Sequence, residues 1–325
     1  MCRGLVALVL GAMTIHVGAS QEPLTLVRSI ELPHVEGRID HLAYDAGTQR
    51  LFVAALGNNT VEVLDAKAGT HLRSLPGFRE PQGIAIAIDA RAVAVANGQG
   101  EGLQLLSGDT FQPGAVVRLG DDADNVRSDA AAKKLYVGYG DGALAAVDPA
   151  AAKLGQVKLA GHPESFQLER EGTRVFVNVP SARQIAVVDR ASMKVISTWP
   201  VSTAAANYPM ALDEANHRVF IGCRRPAKVL VFDTGSGKET SAFDIVGDTD
   251  DLFYDAARKR VYVTGVEGFI DVVQDQGGDK FSRIARVPTA AGARTSLFVA
   301  DQGRLYLAVP HRGNQKAEIR VFEAR

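Results

Sequence analysis

Seven times along the chain a basic residue opens an alternating apolar run. The copies are RLFVAAL (50–56), RAVAVANG (91–98), KLYVGYG (134–140), RVFVNVP (174–180), RVFIGCR (218–224), RVYVTGV (260–266) and RLYLAVP (304–310). Their heads, Arg50, Arg91, Lys134, Arg174, Arg218, Arg260 and Arg304, stand 41, 43, 40, 44, 42 and 44 residues apart. A period of about 42 residues with several strands per unit is the spacing of propeller blades. A parallel β-helix has shorter rungs and needs no hairpin twice in each unit. The expected fold is therefore all-β: a seven-bladed β-propeller of four-stranded antiparallel blades.

Each unit reads alike. An inner strand comes first, as in IDHLAYD (39–45), GIAIAID (83–89) or DDLFYD (250–255). The basic-headed strand follows, then a tight loop such as Gly57-Asn58-Asn59 or Asp141-Gly142, whose residues tolerate the positive φ of hairpin turns. The third strand ends on aspartate in TVEVLD (60–65), ALAAVD (143–148), QIAVVD (184–189) and KVLVFD (228–233), where a carboxylate can cap the turn. A more polar fourth strand, as in HLRSLPG (71–77) or KVISTWP (194–200), suits an outer edge. The seventh unit has only AEIRVFEAR (317–325) after its head strand, while LTLVRSIEL (24–32) belongs to no unit. The N-terminal strand is expected to close the C-terminal blade beside residues 319–322. The blades then run over about 38–77, 78–120, 121–161, 162–201, 202–247, 248–291 and 292–325 plus 24–33. Residues 20–325 form one propeller domain in this reading.

The heads RVYVTGV, KLYVGYG and RVFVNVP, each followed by a strand ending in V-V/F-D, resemble the YVTN repeat. The likeness runs the whole length of the repeats, and the chain resembles a YncE-like exported bacterial protein. RAVAVANG departs most, lacking the aromatic residue. The resemblance implies a seven-bladed propeller outside the cytoplasm, often without catalysis. It describes blade packing, and fold alone does not fix function.

Residues 1–19 read as a secretory signal peptide. Arg3 gives the positive start, 5–15 the apolar stretch, and Val17-Gly18-Ala19 a cleavage site near Ala19 or Ser20. The apolar run is short for an uncleaved anchor. Export to the periplasm, or secretion, is expected, with no membrane span in the mature chain. Cys2 leaves with the signal and Cys223 stays alone, so no intrachain disulfide can form. Cys223 closes an apolar strand and reads as a structural thiol. The absence of Cys-x-x-Cys-His excludes covalent haem. Lys+Arg number 36 and Asp+Glu 37, a balance with no nucleic-acid footprint.

In a propeller the loops entering the inner strands meet around one channel mouth, beside the loops joining second and third strands. Ten positions before each head lie Asp40, Pro81, Asp124, Glu164, Tyr208, Asp250 and Arg294; the next residues are His41, Gln82, Asn125, Ser165, Pro209, Asp251 and Thr295. Of these, Asp40, His41, Asp124, Asn125, Glu164, Tyr208, Asp250, Asp251 and Arg294 are the candidate ligand-binding residues of the ring. Asp40, Asp124 and Asp250 are candidate oxygen ligands for Ca²⁺, Mg²⁺ or Mn²⁺. Clustered carboxylates could equally raise one another's pKa and make a general base. The plainer reading is a hydrated mouth neutralised by Arg224, Arg225 and Arg294. Arg224, Arg225, His311 and Arg312 fall in second-to-third-strand loops, where with Arg294 they could clamp an anion or an acidic patch. Ordinary surface loops explain them as well. His34 and His162, in lead-ins to inner strands, could join either group.

Nucleophilic machinery is missing. No Gly-x-Ser-x-Gly occurs, and Ser165 could approach His41 or His162 only through ring closure. Gly98-Gln99-Gly100-Glu101-Gly102 is rich in glycine but lies in a hairpin and opens no helix. Asn58-Asn59-Thr60 matches a glycosylation sequon only by chance spacing in a bacterial chain. The leading expectation is a monomeric binding scaffold for an extracytoplasmic protein or small molecule. The alternative is a lactonase-like hydrolase with a carboxylate-bound divalent metal. An electron-transfer partner, like the heavy subunits of amine dehydrogenases, rests on fold analogy alone.

Overall fold

The computed structural model describes residues 1, 22–87, 91–100, 102–150 and 152–325. The segment read as a signal peptide falls outside the described residues apart from Met1, and so does Cys2. The described chain forms seven four-stranded antiparallel sheets, the expected ring of blades. Their inner strands are Leu42–Asp45, Pro81–Ala87, Ala123–Asp129, Phe166–Leu168, Ala205–Asp213, Thr249–Asp255 and Ser296–Val299, which number the blades from one to seven. Single 3₁₀ turns are the sole helical elements among the described residues, so no described helix is long and apolar enough to cross a membrane.

In blades one to six the strands follow chain order outward. Blade seven runs Ser296–Val299, Arg304–Val309, Glu318–Ala324, and its outer strand is Leu24–Glu31. Leu24 lies opposite Ala324, Ile30 opposite Ile319 and Glu31 opposite Glu318. The predicted closure is thus the observed one, and it leaves no open seam in the ring.

The repeat has a packing cause. Two residues after six of the seven heads stands an aromatic residue, and Phe52, Tyr136, Phe176, Phe220, Tyr262 and Tyr306 are all buried. In blade two Val93 fills that position. The buried apolar side chains fall into seven clusters, one at each blade–blade contact. The basic heads work on the opposite rim from the mouth. Arg174 lies 5.0 Å from the Phe176 ring and pairs with Glu169, while Arg218 lies 5.5 Å from the Phe220 ring and pairs with Asp213 and Asp275. The third-strand aspartates cap their turns as expected. Asp65, Asp148, Asp189 and Asp233 accept hydrogen bonds from the backbone N–H groups of Ala68, Ala150, Ser192 and Ser236 at 2.7–2.8 Å. Cys223 is fully buried in the cluster between blades four and five. Burial, with Glu239 nearby, pushes its thiol up to about 12, so it stays protonated and inert.

Two inner strands come into close contact at Gly83. A Cβ there would lie 2.0 Å from the backbone oxygen of Asp124 in the next blade. Gly83→Ala must therefore displace a mouth segment. We expect a loss of about 1–3 kcal/mol, the usual cost of overpacking. Urea unfolding should show a lower midpoint at unchanged slope; an unmoved midpoint would mean that the two strands are not in such close contact.

Candidate functional site

The ring residues reach the mouth by two local devices. In blades three, five and six the inner-strand register shifts between Ala123 and Val126, between Asn207 and Met210, and between Thr249 and Asp251. These β-bulges contain Asp124–Asn125, Tyr208–Pro209 and Asp250, and bulges re-aim side chains away from the ladder. In blades one, four and seven the ring residues precede the strand, tethered by backbone hydrogen bonds such as Asp40 N–H to Ala54 O (2.7 Å) and Glu164 N–H to Asn178 O (3.0 Å).

His41 is the hub. Its Nε2 lies 3.7 Å from Asp40 Oδ1 and 3.9 Å from Asp124 Oδ1, and its Nδ1 lies 3.7 Å from Asp251 Oδ1. Three blades thus supply carboxylates to one imidazole. Asp251 is fixed from the far side by the Ser296 N–H at 2.7 Å. Below the hub, Arg127 donates to Ser165 Oγ at 3.4 Å and lies 5.5 Å from the Phe166 ring. That contact is how the hydroxyl of Ser165 is engaged, and no histidine is hydrogen-bonded to it among the described residues.

The carboxylates on one side of the mouth have guanidinium partners. Arg38 holds Asp40 at 3.1 Å. Arg224 pairs with Asp250, and with Asp248 at 3.0 Å. Arg294 pairs with Asp248 at 3.1 Å and Asp250 at 2.8 Å. Arg224 also stacks 3.7 Å from the ring centre of Tyr208. On the other side the partners are imidazoles. His162 Nε2 lies 3.8 Å from Asp124, and its Nδ1 lies 3.2 Å from Asp122 and 2.7 Å from the Gly140 oxygen. The Glu164 carboxylate makes no hydrogen bond or ion pair among the described residues. Asn125, 2% exposed, keeps a buried Oδ1 without a partner.

Burial and like charge set the protonation states. Burial lifts Asp40 to about 6, with His41 opposing and Asp124 and Asp250 adding to the rise. Glu164 rises to about 8 through burial and then Asp124. Burial opposes charge on His41, yet Asp251, Asp40 and Asp124 hold it up at about 10. His162 stands at about 9, burial being outweighed by Asp124, the Gly140 carbonyl and Asp122. Burial resists ionisation of Asp124, but His162 and His41 bring it below the usual carboxylate range. Burial raises Asp250 despite Arg294 and Arg224. Asp40 and Glu164 are thereby placed to exchange protons near neutrality.

Arg224 and Arg225 part company. Consecutive strand residues face opposite sides, so Arg224 enters the mouth while Arg225 is exposed. His311 pairs with Glu36 at 2.7 Å. Arg312 borders an open recess of about 370 Å³ together with Arg38, Asp248, Arg294 and His311. Its guanidinium has no hydrogen bond or ion pair among the described residues. A larger hollow of about 910 Å³ lies at the opposite end of the inner strands, against Arg127, Asp129, Glu169 and Arg190. There Arg190 already binds Asp129 at 2.5 Å and the Glu169 carbonyl at 2.9 Å.

The ring ten positions before each head omitted Arg38, Asp122 and Asp248. All three lie twelve positions before a head, as does His162, so the register two residues earlier carries a second charged layer. Arg127 could have been found by inner-strand alternation from Asn125.

Neither a family model nor a curated protein matches the sequence. Among solved structures, a chain of Kuenenia stuttgartiensis hydrazine synthase superposes with a TM-score of 0.76. It is 16% identical, and the match covers 88% of this chain and 97% of that one. A chain from the crystal structure of a mitotic checkpoint complex gives 0.77 at 13% identity, covering 99% and 98%. At such identities the likeness is one of fold.

Proposed function

We propose that this propeller is an exported binding scaffold of the YncE-like, YVTN-repeat kind, whose mouth face takes a small anionic ligand or an acidic group of an extracytoplasmic partner. The repeat heads support the family reading, and the N-terminal segment supports export. One structural neighbour comes from a multi-protein complex, a use that a rigid disc suits. The observation that carries the reading is the uncommitted guanidinium of Arg312 beside the recess. Arg38, Arg224 and Arg294 are all occupied by carboxylates, whereas Arg312 can form a forked pair with an incoming one. Binding is preferred to lactone hydrolysis because the Arg312 recess already offers a ligand contact, whereas hydrolysis would need a metal-bound water at the mouth as well.

Thermal unfolding with inorganic phosphate, citrate and a glutamate-rich peptide tests this. A ligand at 100 times its Kd adds about 2.7 kcal/mol, enough to raise Tm by several degrees. At least one probe should produce a saturable rise that Arg312→Ala removes. No response to any of the three, or an equal response in the variant, overturns the reading.

A further inference from the structure

We propose that Asp124, His162 and Glu164 form a binding site for one divalent cation of the Mn²⁺-to-Zn²⁺ series, on the side of the mouth away from the arginine-lined recess. Each residue offers one donor atom, and the three atoms lie within 4.8 Å of one another. A cation about 2.0–2.2 Å from such donors holds them roughly 3–3.5 Å apart. Modest side-chain rotation closes that gap, since His162 Nε2 already stands 3.8 Å from Asp124 Oδ2.

The orientation of His162 points the same way independently. The Gly140 oxygen can only accept, so the Nδ1 that meets it at 2.7 Å carries the proton. Asp122 Oδ2 stands 3.2 Å from the same nitrogen. Nε2 is therefore the nitrogen left facing Asp124, and it becomes a ligand when a cation takes the place of its proton. A histidine ligand held through its other nitrogen by a carbonyl and a carboxylate is the usual outer arrangement of a metal site. The distribution of cations agrees. Arg38, Arg224 and Arg294 make ion pairs with Asp40, Asp248 and Asp250, while the Glu164 carboxylate makes no hydrogen bond or ion pair among the described residues and Asp124 makes its ion pairs with imidazoles.

The donor set selects the cation class. An imidazole with two carboxylates suits Mn²⁺, Fe²⁺, Co²⁺ or Zn²⁺, whereas Ca²⁺ and Mg²⁺ prefer oxygen throughout. Of the oxygen ligands expected from sequence, Asp124 belongs to this set, and Asp40 and Asp250 are engaged by guanidinium groups. Three protein donors leave coordination positions open for water or an oxygen of a bound ligand. Cation binding at this site does not depend on anion binding at Arg312.

The test uses untagged protein stripped with a chelator and dialysed, then titrated with Co²⁺ alone and with Zn²⁺ alone. We expect one cation per chain, visible Co²⁺ absorption bands, and displacement of Co²⁺ by Zn²⁺. His162→Gln and Glu164→Gln should each weaken binding at least 100-fold, and Asp122→Asn about 10-fold. Arg312→Ala should leave it unchanged. Because a variant could fail to fold, electron paramagnetic resonance of the Cu²⁺-loaded natural sequence gives a second readout: hyperfine splitting from one imidazole nitrogen. Absence of stoichiometric binding, absence of the nitrogen splitting, affinity unmoved in a folded His162→Gln, or tighter binding of Ca²⁺ than of Zn²⁺ would each overturn the proposal.

Discussion

His41→Gln should destabilise the metal-free protein by about 3–5 kcal/mol, the range seen when one partner of a buried ionic group is removed. The imidazolium stands among Asp40, Asp124 and Asp251 at 3.7–3.9 Å, with its side chain 14% exposed. Glutamine keeps the approximate volume but removes the one positive charge that all three carboxylates share, leaving Arg38 beside Asp40 and His162 beside Asp124. At about 2–4 °C per kcal/mol, Tm should fall by roughly 10 °C.

The same residue fixes a pH signature. Its folded pKa, about 10, lies above the unfolded 6.5. A group raised in this direction gives its full stabilisation below the unfolded value and loses it as pH climbs through the folded one. The share due to His41 is at most about 5 kcal/mol at 1.36 kcal/mol per unit. His162, raised to about 9, acts likewise. Glu164 at about 8 and Asp40 at about 6 also hold protons more tightly when folded, so their ionisation with rising pH costs stability. Asp124, Glu169 and Asp275, shifted downward, lose their contribution only in acid, below the usual carboxylate range. Stability measured by urea unfolding should be greatest near pH 5 and decline toward pH 10. His41→Gln should remove the His41 share of that decline. A natural protein equally stable at pH 6.5 and 9.5 would show that His41 is not the hub.

The blades were legible because their cause is local. An aromatic residue two positions after a basic head wedges between sheets, and that demand returns in six of the seven blades, with Val93 meeting it in blade two. The inward set containing Asp40, Asp124 and Asp250 followed from register alone. What register could not give was partnership. Arg224 reaches from blade five to Asp248 and Asp250 of blade six, a choice made by three-dimensional distance and side-chain rotamer. The pair Arg224-Arg225 looked like one basic spot, and separated because the strand Arg218–Arg225 carries its alternation into the loop. The bulges at Asp124–Asn125 and at Asp250 left no local mark, so the second charged layer at Asp122 and Asp248 escaped notice. His162 stood out only as a loop histidine until Gly140 of blade three fixed its ring.

Removing residues 1–32 should cost more stability than any of the single substitutions, because the ring is closed by pairing and not by a covalent link. Leu24 and Ile30 are 0% and 3% exposed, and both leave the core with the strand. Each contributes about 1.5–3 kcal/mol of apolar burial, and Leu32 is a third. The loss of about 5 kcal/mol or more approaches the whole stability of many domains. It also bares the edge of Glu318–Ala324, a strand whose Ile319 and Phe322 are buried in the intact ring. An uncovered apolar edge recruits another strand. The truncated chain should therefore be soluble only at low concentration, run as oligomers on size exclusion, and lose amide protection across Glu318–Ala324. A synthetic peptide of residues 22–33 supplied in trans should restore the monomer and the protection together. A truncated chain that stays monomeric, cooperatively folded and protected at that edge without the peptide would mean that the ring is held by something other than this strand.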